Sequence, residues 1–197
     1  MLRLARAAML MLVVLSVLAG GLYPLAVTAG ARLAFLGRAG GSLIVRGGRV
    51  VGSALIGQPF QDPKYFWSRP SATSPGPYNA GASLGSNLGP TNPELAKEIR
   101  ERIAALRASD PGRRDPIPVD LVTASGSGLD PDVSPASALW QVARVARARG
   151  ISEEEVRAMV LRETRPRALF FLGEPRVNVL RLNLALDGFQ ASGGRTN

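Results

Sequence analysis

The chain has no cysteine and no histidine, carries only two lysines, Lys64 and Lys97, and places no acidic residue before Asp62. Without cysteine there is no disulfide, no thiol nucleophile and no thioether site for a lipid anchor. Without histidine the usual general base and the commonest metal ligand are both missing, which excludes histidine-liganded zinc centres and Ser-His-Asp triads and leaves no metal site to predict. The scarcity of lysine limits a Ser-Lys nucleophile pair to Lys64 or Lys97. No Gly-Lys-Ser/Thr follows any glycine-rich stretch, so a P-loop is absent, and no internal repeat is found. The missing acids have a further consequence: Arg3, Arg6, Arg32, Arg38, Arg46 and Arg49 stand uncompensated and hold six of the nine net positive charges. The remainder is close to balanced, so the basic excess reads as a contact with anionic lipid head groups and not as a nucleic-acid footprint.

What lies between those arginines is the uncharged run from Ala7 to Ala31, AAMLMLVVLSVLAGGLYPLAVTAGA. At roughly 1.5 Å per residue a helix of this length exceeds a hydrocarbon core of about 30 Å. We therefore read 7–31 as a single transmembrane helix, after a short N-terminal segment at 1–6. Signal-peptide cores run only to about 15 residues, so a retained anchor is expected although Thr28-Ala29-Gly30-Ala31 imitates a cleavage site. Gly20, Gly21 and Pro24 predict a kink near Pro24 and a small-residue face where another helix packs. Arginines flank the run on both sides, so charge alone leaves its orientation open.

The rest is long enough for one folded domain. A linker at 32–41 precedes the domain, 42–190, and a flexible tail, 191–197. Gly47-Gly48 between Ser42–Arg46 and Arg49–Gly57 predicts a β-hairpin. From Pro59 to Pro93 the chain lacks periodicity and is rich in Gly, Pro, Ser and Asn. Phe60, Tyr65, Phe66, Trp67 and Tyr78 argue for an ordered loop clamped by aromatics. Within this loop Tyr65, Arg69, Tyr78, Asn87 and Asn92 are the candidate partner-facing residues.

Asn92-Pro93-Glu94 opens a helix with Leu95, Ile99, Ile103 and Leu106 as its buried stripe. Pro118 to Ala124 reads as a short strand. The turn after it, with Thr123, Ser125, Gly126, Ser127 and Gly128, is a candidate anion or nucleotide cradle, although Asp130 and Asp132 oppose phosphate and a plain turn capped by Ser134 explains it as well. An anchored serine hydrolase using Ser125 or Ser127 with Asp130 nearby is the enzymatic alternative. The helix from Pro135 to Arg149 turns Leu139, Val142 and Ala146 inward and keeps Arg144, Arg147 and Arg149 for its negative end. Ser152 to Glu155 is a capping box for the next helix, stopped by Pro166. Ala168 to Leu172 reads as a short strand or buried turn, Val177 to Leu186 as a helix, and the residues after Asp187 as a frayed tail. The fold class is mixed α+β behind one membrane helix.

Taken in order, GSALIGQPF (52–60), YFWSRPSA (65–72), SNLGPTN (86–92), PVDLVTASGSGLDP (118–131), QVARVARARG (141–150) and PRVNVLRLNLALD (175–187) resemble the KdpC family. These are the small single-span subunits of a potassium-transporting P-type ATPase complex. The resemblance covers nearly the whole chain. It implies a non-catalytic accessory subunit in the cell inner membrane, with a cytoplasmic N-terminus and an extracytoplasmic domain. The implied partners are a potassium-channel-like subunit and the P-type ATPase subunit. Catalysis and the phosphorylated aspartate would then belong to the ATPase subunit, and no Asp-Lys-Thr-Gly-Thr motif occurs here. The resemblance also implies a catalytic-chaperone role, with no cofactor of this chain's own and ATP shared with the ATPase subunit. For a domain outside the membrane, assembly or gating of the potassium entrance is the physically simpler role. One block departs from the family: Asp132 and Val133 stand where His-Ile is usual, so no imidazole role transfers.

Overall fold

The computed structural model describes residues 1–193, with side chains to Gln190, so the expected tail at 191–197 falls largely outside the described residues. The chain divides into two compact units, 1–51 and 52–197.

The first unit begins with α1 (Leu2–Val17), a π turn (Leu18–Leu22) and α2 (Tyr23–Ala34), continuous over 33 residues and long and apolar enough to cross a membrane. It is longer at both ends than the run of 7–31. The irregularity falls where Pro24 predicts it. Proline lacks an N–H and its ring crowds the carbonyl one turn back. The turn before it widens, and Tyr23 N–H reaches back to Leu18 O. A short α3 (Leu36–Ala39) follows, then the hairpin of β1 (Leu43–Arg46) and β2 (Arg49–Ser53). Gly47 and Gly48 take φ of 57° and 76°, the two positive values a tight two-residue turn demands.

The second unit is built on a three-stranded antiparallel sheet in the order β3 (Asp132–Val133), β5 (Arg176–Asn178), β4 (Thr164–Arg165). Its register pairs Val133 and Thr164 with opposite edges of Val177. Against it pack α5 (Pro135–Arg149), α6 (Glu153–Glu163) and α7 (Val179–Gly193). Each helix starts and stops for a local reason. Pro135 is the first residue of α5, Ser134 Oγ accepts from Ser137 N, and Gly150 closes it in the left-handed region. The Ser152–Glu155 capping box forms in both directions and opens α6. α6 ends three residues before Pro166, consistent with the restriction proline places on the chain before it.

The main core gathers Val142, Val145, Val156, Val160, Leu182 and Leu186 around Phe66. A smaller cluster of Leu106, Leu121, Val122 and Trp140 seats α4 (Pro93–Ser109), with Asn92 capping Glu94 N as expected.

Six expectations are corrected. Pro118 to Ala124 is a 3-10 turn (Val119–Leu121), because Leu121 and Val122 are both buried and cannot alternate across a sheet. Of the stripe on α4 only Leu106 is fully buried, and Ile103 is 38 % exposed. Arg144 does not serve the helix end; it is only 2 % exposed. Val177 and Asn178 belong to β5, and the helix starts at Val179. The residues after Asp187 continue α7, with Phe189 packed on the core and Gln190 bonded to Arg149, so they are not frayed at that point. Ala168 to Leu172 closes as a bridged turn, but its side chains are exposed and not buried.

Candidate functional site

The ordered stretch from Gln58 to Gly85 has almost no regular structure of its own, so its backbone polar groups need partners elsewhere. Two amide side chains supply them. Asn183 on α7 accepts from Phe66 N at 2.8 Å and donates to Phe66 O at 3.0 Å. Gln141 on α5 accepts from Trp67 N at 2.8 Å and donates to Trp67 O at 3.1 Å. Each side chain thus acts as a strand neighbour would for one residue, and Phe66 is driven into the core between them.

Arg144 completes the clamp. Its guanidinium donates to Tyr65 O and Pro63 O and to Gln141 Oε1, and it stacks 4.5 Å from the Trp67 ring centre. Burial pulls its pKa down to about 10, so it stays charged at neutral pH.

The far half of the loop is stitched to the turn of 124–130. Arg69 pairs with Asp130 at 2.9 Å, and Ser71 Oγ donates to Gly128 O at 2.7 Å. Leu84 N donates to Ser127 O. Tyr78 OH donates to the Arg69 carbonyl, and burial raises its pKa to about 12, which keeps the phenol protonated as a donor. Two backbones approach here closely enough to exclude a side chain: a Cβ on Gly128, whose φ is +68°, would lie 2.7 Å from Leu84 O.

These contacts locate the candidate residues. Arg69 and Tyr78 share a groove of about 310 Å³ with Phe60, Trp67, Pro70 and Arg102. Tyr65 is turned elsewhere, its OH on Asp187 and its ring under Arg149 at 4.9 Å. Asn87 is exposed with φ of 53°, and Asn92 is occupied as a helix cap. Gly20 and Gly21 lie in the π turn, with open space where a Cβ would be.

In and after the glycine-rich turn three amides are engaged internally. Gly128 N donates to Ser125 Oγ, Leu129 N to Ser127 Oγ and Asp132 N to Asp130 Oδ1. Thr123 Oγ1 is bonded to Val119 O, and Gly126 lies exposed at the turn's edge. The start of α5 already holds a carboxylate: Asp120 accepts from Ser134 N at 2.7 Å and from the Ser134 and Ser137 hydroxyls. An arriving phosphate would meet that charge. Neither Ser125 nor Ser127 has a base among its hydrogen-bond partners, while Lys64 pairs with Asp62 and Lys97 with Glu94. Asp132 is tied to Arg176 at 3.1 Å and to Asn178.

Sequence reasoning missed Gln141, Arg144 and Asn183. The signal was present, since all three interrupt apolar faces at helical spacing, between Ala138 and Val145 and between Leu182 and Leu186.

Comparison with known proteins agrees along the length of the chain. The family model described as "KdpC: K+-transporting ATPase, c chain" matches residues 5–188. The "Potassium-transporting ATPase KdpC subunit" of Sorangium cellulosum is 64 % identical over 93 % of this chain and 96 % of its own. That of Variovorax paradoxus is 60 % identical over 95 % and 97 %, and that of Methylococcus capsulatus 60 % over 93 % and 96 %. With a match that takes in the apolar helix, the clamped loop and the helices that hold it, the chain belongs to the KdpC family.

Proposed function

We propose that the chain is a non-catalytic accessory subunit of an ATP-driven potassium-uptake pump, promoting assembly and ATP-coupled transport as a catalytic chaperone. The observation that carries this reading is the family match, which extends through both the apolar helix and the folded domain. In this reading Leu2–Ala34 anchors the chain in the cell inner membrane with its N-terminus cytoplasmic, and the domain after it is extracytoplasmic. Gly20 and Gly21 receive a helix of a partner subunit. The loop of 59–93 is the partner-facing surface, with the groove at Arg69 and Tyr78 as its centre, toward the potassium-channel-like subunit. Phosphorylation and ATP binding belong to the P-type ATPase subunit. The chemistry of the domain supports that division, because Ser125 and Ser127 accept from backbone amides and Lys64 and Lys97 pair with neighbouring carboxylates.

The test is affinity purification of the tagged full chain from native membranes in mild detergent. Arrival with two large membrane subunits and a potassium-stimulated ATPase activity is expected. A chain that arrives alone, or that reacts with a serine-directed fluorophosphonate and turns over an ester, overturns the reading.

A further inference from the structure

Between α6 and β5 the chain makes a tip that the proposed function does not use. Ala168 and Leu172 close it with two backbone bonds, N to O at 2.9 Å and 2.8 Å. The four residues Leu169, Phe170, Phe171 and Leu172 all point to solvent, with Phe170 96 % and Leu169 70 % exposed. Leu169 and Phe170 stand at φ of 51° and 69°, a region that branched and aromatic residues rarely occupy. The salt bridge of Arg167 with Glu174 at 2.6 Å braces the neck. In the residues leading into the tip, Arg162 at the end of α6 and Arg165 in β4 are exposed and have no ion pair among the described residues. A rigid apolar point with bare cations behind it is the pattern of a segment that enters a bilayer interface.

We infer that the tip of Leu169 to Leu172 inserts into the anionic surface of a lipid bilayer. The lipid is within reach. Only the residues between Ala34 and Gly52 link the apolar helix to the second unit, and because they are folded into α3 and the β1–β2 hairpin they reach less far than the roughly 3.3 Å per residue of an extended chain. A domain of roughly 150 residues has a radius of gyration of only about 15 Å. A second protein is the less suitable occupant, since a stable protein interface needs about 800 Å² from each side and this is a narrow projection ringed by charge. A bilayer accepts a point. The inference rests on the anchoring helix of the proposed function and not on the pump partners.

The absence of cysteine makes the test clean. An environment-sensitive fluorophore is attached to F170C in the full chain, reconstituted in vesicles of phosphatidylcholine with or without phosphatidylglycerol and containing doxyl-labelled lipid. V13C in the anchor and E101C on α4 carry the same label as references. The expected result is a blue-shifted label at position 170 that is quenched as at 13 and unlike 101. Phosphatidylglycerol should favour the inserted state by roughly fivefold for each of the two arginines, and the R162Q/R165Q pair should remove that preference. A label at 170 that stays unquenched while that at 13 is quenched overturns the inference and leaves the anchor intact. An unquenched label at 13 overturns both. A label at 170 that becomes dry only when the pump subunits are added assigns the tip to a protein and also overturns it.

Discussion

Gln141 and Asn183 each satisfy both backbone groups of one loop residue, so their removal strands a buried donor and a buried acceptor together. Asn183→Leu is nearly the same size and keeps α7 apolar, yet should destabilise the domain by about 2–4 kcal/mol through the unpaired Phe66 groups. Urea unfolding of the full chain in detergent, followed by tryptophan fluorescence, measures it. Tyr78 offers a second residue-level test. Because burial raises its pKa to about 12, the folded state holds the phenolic proton longer than the unfolded chain does. The stability it contributes is therefore complete below about pH 10 and lost as pH rises toward 12. Ultraviolet titration of tyrosinate should show a late component near pH 12 that Tyr78→Phe abolishes. Persistence of that component in the variant would assign it elsewhere.

At the scale of elements, what was legible in the sequence was local. The capping of α4, α5 and α6, the glycine turn of the hairpin and the break before Pro24 each depend on residues within one or two turns, and each was readable. What was missed depended on distant partners. Pro118 to Ala124 has strand-like composition, but Asp120 is drawn to Ser134 and Ser137, and the segment turns to follow it. Leu169 to Leu172 was expected inside because it is apolar, and nothing nearby in sequence says that it protrudes. The loop was recognised as ordered from its aromatics, whereas its clamp comes from helices more than seventy residues away. Two element-level predictions follow from the caps and the close approaches. Ser152→Ala should cost about 1 kcal/mol by thermal unfolding. The exposed Glu155 carboxylate is held below its usual pKa first by the Ser152 backbone N–H and then by its hydroxyl, so its contribution is present above pH 4.5 and lost as pH falls through the lowered value. Gly128→Ala forces a Cβ against the Leu84 carbonyl at a positive φ. It should separate the loop from the turn of 124–130, seen as faster amide exchange at Leu84.

The whole molecule is unequally charged along its length. Its first sixty-one residues carry arginine and no acid, while the globular part binds most of its own arginines to acids and carbonyls. In the proposed role, transport depends on this chain although the reaction does not occur in it. Potassium uptake at micromolar external potassium, in cells whose pump operon lacks only this subunit, tests that claim most directly. We predict that uptake is lost and is restored by the full chain but not by a form lacking residues 2–34. Uptake at full affinity without the chain would contradict the account.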